Sequence, residues 1–127
     1  RVHVELRIPA VPGVAGVAPS SGVLGNDEPV QWFALAKQLA PEVKLYLNDY
    51  NQFEAGTTNG AHHNYTFAYL KHLRDRNAPI DGFGFQGHFG NPIPLEAGAT
   101  VIQRYEDEFP YEFAVTEFDV NTADENA

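Results

Sequence analysis

Cysteine is absent from this 127-residue chain, which removes disulfides, thiolate nucleophiles and cysteine-based zinc sites together. That absence leaves the redox compartment open. Basic side chains are scarce: 8 Lys and Arg stand against 17 Asp and Glu, a formal net charge of −9. Such a balance argues against nucleic acid, whose phosphates need a basic patch, and against an anionic membrane surface. No run of roughly 18 or more apolar residues occurs, so no segment reads as a membrane span. What is present is a chain with 43% hydrophobic and 13% aromatic residues, too apolar to be disordered by composition. The length suits one domain at most, and a neutral, polar substrate fits the charge best.

Residues 8–23 carry no charge and are built from Ile, Pro, Gly, Ala, Val and Ser. Pro9, Pro12 and Pro19, with glycines between them, oppose a regular helix. A stretch of this kind inside a compact domain reads as a functional loop or a foreign insertion. It lacks the basic start and the cleavage pattern of a secretory signal. Residues 1–23 are therefore set apart as a divergent, loop-like segment, and 24–127 as the domain.

From Asn26 the pattern becomes regular. Asn26 or Asp27 can cap a helix with Pro29 in its first turn. Trp32, Leu35, Ala36 and Leu39 then fall at i, i+3, i+4 and i+7, the inward face of a helix stopped by Pro41. Lys44 to Leu47 reads as a strand ending in the polar group Asn48-Asp49-Tyr50-Asn51. A second helix carries Tyr65, Ala68, Tyr69, His72 and Leu73 inward and stops at Asn77-Ala78-Pro79. Ile80 to Phe89 forms a second strand, Leu95 to about Phe109 a third helix with Ile102 and Tyr105 inward, and Phe113 to Val120 a third strand. Strand centres at Leu45, Phe83 and Ala114 lie 38 and 31 residues apart. Alternation at this spacing means βαβ units and a parallel sheet. Each strand keeps its polar residues at its C-terminal end, where α/β folds and β/α barrels build their sites.

Side chains alternate faces along a strand. Gly82, Gly84, Gln86 and His88 therefore share one face of the second strand, and Phe83, Phe85 and Phe89 the other. In the third strand Phe113, Val115, Glu117 and Asp119 are expected to share a face that ends in two carboxylates. Taken singly, a strand-end His is often structural and a strand-end Asp often a cap. Taken together, Asn48, Tyr50, Gln86, His88, Glu117 and Asp119 occupy equivalent points of three successive strands, which adjacent parallel pairing would gather into one crevice.

Three ordered stretches, Lys44-Leu-Tyr-Leu-Asn-Asp-Tyr-Asn51, Ala78-Pro-Ile-Asp-Gly-Phe-Gly-Phe-Gln-Gly-His-Phe89 and Val115-Thr-Glu-Phe-Asp-Val120, resemble strands five, six and seven of glycoside hydrolase family 10. These are the retaining endo-1,4-β-xylanases, built as (β/α)8 barrels. The resemblance runs from about Val23 to the C-terminus and implies a partial TIM barrel covering about strands 4/5 to 7. It implies that Glu117 is the nucleophile forming a covalent glycosyl-enzyme intermediate. His88 would hydrogen-bond that carboxylate, and Asp119 would orient the histidine. A donor aimed at a carboxylate favours its ionised form, and a carboxylate behind an imidazole fixes its tautomer. Gln86, Asn48 and Tyr50 match residues lining the sugar subsites, where amides suit hydroxyls. No cofactor or metal is implied.

A retaining glycosidase needs a second carboxyl group about 5 Å from the first, acting as acid and base. The family places it at the end of strand four, and Glu5 is the only candidate on that side of the first helix. Val4 stands where the family has Asn, and the Pro/Gly-rich segment after it is longer than the family's connection; the alternative is that this segment has diverged.

Other signals are weaker. His62-His63 has no acidic or histidine partner at ligand spacing on its own element and reads as a solvated loop or helix start. Asp119, Asn121, Asp124 and Glu125 lack the glycine and terminal Glu of a calcium loop. Trp32, Tyr65 and Tyr69 sit at helical spacing and read as core.

A whole barrel needs eight strands and roughly 250 residues, so the stretch is expected to belong to a larger enzyme, one secreted toward its extracellular polymer. Alone it would have open sheet edges that invite self-association. The expected activity is xylan hydrolysis, weak or absent in this chain by itself. A non-catalytic carbohydrate-binding or scaffold remnant is the alternative, and a related barrel acting on β-glucans or mannans stands behind both.

Overall fold

A computed structural model describes residues 27–56 and 60–121. Its elements are α1 (Glu28–Leu39), β1 (Tyr46–Asp49), a 3-10 turn (Phe53–Gly56), α2 (Gly60–Asp75), β2 (Gly82–Phe89), α3 (Leu95–Glu108) and β3 (Glu112–Val120). The alternation expected from the sequence is present, with the short 3-10 turn added. The strands form one parallel sheet in the order β1-β2-β3. Each parallel step needs a crossover, which α2 and α3 supply. The segment 1–23, with the candidate Glu5, lies outside the described residues.

One face of the sheet is the core. Leu45 and Leu47 ahead of and within β1, and Phe83, Phe85 and Phe89 on β2, pack against Phe33, Leu70, Leu73, Tyr105 and Phe109. This is the aromatic side of β2 that alternation assigns to the helices. Tyr105, fully buried, holds the layer together with ring centroids 4.9 Å from Phe83, 5.1 Å from Phe85 and 5.2 Å from Phe67. α2 ends where Asn77 turns to φ 59° and the Ala78 N–H bonds back to Leu73 O at 3.0 Å. Asn tolerates this left-handed conformation and closes the helix.

The first helix differs from its sequence reading. Phe33 is its buried residue, with Val30 and Ala36 packed beside it. Trp32, Leu35 and Leu39 are instead 41%, 55% and 76% exposed. The helix carries two apolar stripes, and periodicity alone does not choose between them. Long-range contacts do: Lys37 donates to Asp81 and to Val43 O, both at 2.8 Å, and pins the Phe33 side toward the foot of β2. Asp27 is the N-cap residue but makes no side-chain cap. Its carboxylate lies 2.8 Å from His72 Nε2 and 2.7 Å from Arg76 Nε.

The opposite sheet face is shaped by two glycines that other side chains cross. A Cβ on Gly82 would lie 2.2 Å from the Tyr46 ring, whose hydroxyl donates to Glu112 at 2.5 Å. A Cβ on Gly84 would lie 2.5 Å from Asn48 Oδ1 and 2.7 Å from Thr116 Cγ2.

The β2–β3 ladder contains a bulge. Phe85 pairs with Val115 and Gln86 with Glu117, so Thr116 is an extra residue on β3. This corrects the expected single face of Phe113, Val115, Glu117 and Asp119. Phe113 stays on the helix side, with its ring centroid 6.0 Å from Phe85, and Val115 flanks the helix side of Gly87. Past the bulge Glu117 and Asp119 turn to the glycine-lined face. An inserted residue re-aims the side chains beyond it, and bulges recur beside active sites for that reason.

Candidate active site

At the C-terminal ends of β2 and β3, His88 stands between two carboxylates. Its Nδ1 lies 2.5 Å from Asp119 Oδ2 and its Nε2 2.6 Å from Glu117 Oε2. Ionised carboxylates only accept hydrogen bonds, so both ring nitrogens donate and the ring is an imidazolium. Charge and geometry agree: the hydrogen bonds that His88 donates, to Asp119 first and Glu117 second, hold its pKa above the usual 6.5. The arrangement therefore goes further than fixing a neutral tautomer. It sets a hydrogen-bond donor, on a ring whose charged form is favoured, directly against Glu117. The cluster is open to solvent, with His88 46% and Glu117 39% exposed.

Asn48, at the end of β1, donates from Nδ2 to the other oxygen of Glu117, Oε1, at 3.3 Å. It is 2% exposed, and its carbonyl oxygen accepts from the Thr116 hydroxyl at 2.7 Å. Its amide is thus engaged by protein groups at both ends. Both Glu117 oxygens have donors, His88 on one and Asn48 on the other. Gln86, half-buried, lies opposite Glu117 in the strand register. Tyr50 follows β1 and rests on His62, ring centroids 4.5 Å apart.

Beneath the end of β1 lies a polar layer that the sequence reading missed. Asp49, 1% exposed, accepts from the Thr66 hydroxyl, from Gln52 Nε2 at 3.1 Å and from the Tyr50 N–H at 2.9 Å. Tyr105 in turn donates to Gln52 Oε1 at 2.8 Å. His62 and His63 lie at a helix start, the first turn of α2, as one of the two sequence readings had it, but they are packed into this layer rather than solvated. His62 Nε2 lies 3.0 Å from Asp49 Oδ2. His63 is 2% exposed, and burial, with Arg104 adding to it, lowers its pKa to about 4. It is neutral, as a buried imidazole must be unless a partner carries the charge. The available signal was the position: the two histidines open a helix that packs beneath the polar end of β1. Among the described residues no group of three or more His, Cys, Asp or Glu could hold a metal ion.

Comparison with known proteins decides the family. A family model described as glycosyl hydrolase family 10 matches residues 18–127.

The chain belongs to glycosyl hydrolase family 10.

Its relatives agree. It is 39% identical over 101 residues to endo-1,4-β-xylanase 1 of Humicola insolens, a match covering 77% of this chain and 22% of the relative. Among solved structures, the Thermobacillus composti GH10 xylanase superposes with a TM-score of 0.67 at 27% identity, over 84% of this chain and 34% of that one. The intracellular xylanase of Thermoanaerobacterium saccharolyticum, solved as a mutant bound to xylotetraose, gives 0.64 at 27% identity, over 76% and 28%. The chain thus spans about a fifth to a third of these relatives' length. The three strands among the described residues form a partial α/β barrel of the family's TIM-barrel type.

Proposed function

We propose that this chain carries the nucleophile side of a retaining endo-1,4-β-xylanase. The observation that carries the reading is Glu117 held between His88 and Asn48, with Asp119 behind the imidazole. With a donor on each oxygen the carboxylate is held in one orientation, and its exposed position leaves it able to approach an anomeric carbon. In the first half-reaction Glu117 attacks that carbon and the glycosidic oxygen departs, forming a glycosyl ester. Water then cleaves the ester and returns the carboxylate. Both steps need a second carboxyl group to give and take the proton. Glu5 is the candidate within the chain.

Xylan is the substrate we favour, because relatives named as xylanases match most of this chain and one was solved with xylotetraose. Gln86 and Tyr50, beside the cluster, are the proposed sugar contacts. Asn48 is proposed as a third sugar contact, its amide keeping one free donor and one free lone pair after its bonds to Glu117 and Thr116.

Three strands do not enclose a sugar as eight do, so the chain by itself should release xylo-oligosaccharides slowly or not at all. Its open edges give it a tendency to self-associate. The test is hydrolysis of an aryl β-xylobioside with an activated leaving group, which needs little acid assistance. A first-turnover burst of aryl release that Glu117→Gln abolishes and Glu5→Ala spares supports the assignment of the nucleophile, since only the second step then still needs a base. Binding of xylohexaose with no cleavage of the activated substrate points to the non-catalytic alternative.

A further inference from the structure

Thr116 is the residue the bulge inserts, and its hydroxyl contacts Asn48 on a strand that β3 does not touch. β2 lies between them. Strands two steps apart stand roughly 10 Å from each other, so such side chains meet only by crossing over the strand between. They cross at Gly84, the β2 residue in register with Asn48. A Cβ there would fall 2.5 Å from Asn48 Oδ1 and 2.7 Å from Thr116 Cγ2. The contact therefore requires two things at once: an extra residue on β3 and the absence of a side chain on β2.

An asparagine amide has a donor end and an acceptor end of nearly the same shape, and its partners alone decide which way it faces. Thr116 Oγ1 lies 2.7 Å from Asn48 Oδ1, against 3.4 Å from its other acceptor, Phe85 O. Holding the oxygen there leaves Nδ2 directed at Glu117 Oε1. The reverse orientation would set the amide oxygen against a carboxylate oxygen, acceptor facing acceptor.

We infer that Thr116, passing over Gly84, is a positioning residue that fixes the Asn48 amide so that it donates to Glu117. The functional consequence rests on the reading of Glu117 as nucleophile; the geometric one does not.

The experiment separates the two. In the ¹⁵N-labelled 127-residue chain, the Asn48 side-chain amide is assigned by its loss in Asn48→Asp. Glu117→Gln is then introduced into the wild-type, Thr116→Val and Thr116→Ser backgrounds, with thermal melts confirming that each folds. The expected result is a displacement of the Asn48 resonances in wild type and Thr116→Ser that is lost in Thr116→Val. With the activated aryl β-xylobioside, Thr116→Val lowers kcat roughly tenfold, the scale of losing one hydrogen bond to a charge. KM stays within about twofold and Thr116→Ser restores the rate, a split and rescue that simple destabilisation does not produce. An Asn48 response that survives in Thr116→Val overturns the inference, as does an unchanged kcat in that variant. A wild-type chain that shows the amide response without turning over the substrate counts against the enzymatic reading and leaves the positioning role supported.

Discussion

His88 and Glu117 meet at 2.6 Å although they are not register partners: His88 pairs with Asp119 across the ladder, and Glu117 with Gln86. The imidazole bridges two successive inward positions of β3, one carboxylate on each nitrogen. It can do so because the extra residue, Thr116, has brought Glu117 and Asp119 together to the face that carries His88. The charge state of the imidazole is favoured by both contacts, the direct one to Asp119 first and the diagonal one to Glu117 second.

The first prediction concerns that charge. Asp119 and Glu117 raise the His88 pKa above 6.5, so its ¹⁵N or ¹H titration midpoint should lie above the ordinary histidine value. Asp119→Asn should bring it down, with a smaller decrease from Glu117→Gln. In the unfolded chain His88 titrates near its usual value, and the folded protein holds the proton to higher pH. Its contribution to stability is therefore complete below about pH 6.5 and is lost as pH rises through the raised value. A midpoint at or below the ordinary value contradicts the imidazolium assignment.

His63 works in the opposite direction. Its folded pKa is near 4, with 6.5 the ordinary value. Between these limits the unfolded chain binds the proton and the folded chain does not, so stability falls as pH drops from 6.5 toward 4. His63→Leu should shrink the loss over that window by roughly 2–3 kcal/mol. Urea melts at pH 7 and pH 4.5 measure it, and an unchanged acid limb contradicts the assignment.

The order of elements and the identities of His88, Glu117 and Asp119 are legible in the sequence because they depend on local information. Strand alternation, helix spacing and polar strand ends are all written within a few residues. The bulge is not legible, since a strict two-residue period assumes that no residue is inserted. That period puts Thr116 on the wrong side and groups Phe113 and Val115 with the carboxylates. The buried face of α1 depends on Asp81, 44 residues from its partner Lys37. Likewise the histidines that open α2 are placed by Asp49 and Gln52 on an earlier segment, which no local pattern reports.

The α1 finding gives a mutational contrast. Phe33→Ala should cost about 3–4 kcal/mol, the range for emptying a buried phenylalanine site. Leu39→Gln, on the exposed stripe, should change stability by no more than about 0.5 kcal/mol. Chemical denaturation of both variants decides which stripe faces inward. Equal losses would restore the Trp32–Leu39 face to the core.

Tyr105 tests the polar layer under β1. Its ring is packed on every side and its hydroxyl donates to Gln52 Oε1. Tyr105→Phe keeps the packing and leaves a buried acceptor without its donor, at a cost of about 1–3 kcal/mol. A neutral outcome in denaturant melts would mean that the Gln52 carbonyl finds another donor.

Glu117 is proposed as a nucleophile held in place by His88 and Asn48. The most direct test of that role is incubation with a 2-deoxy-2-fluoro-β-xylobioside bearing a dinitrophenyl leaving group, and then peptide mass spectrometry. Such a reagent forms the glycosyl ester quickly and loses it slowly. A single fluoroxylobiosyl adduct is expected on the peptide containing Glu117, absent in Glu117→Gln. An adduct on a different carboxylate, with Glu117 unmodified, would contradict that role.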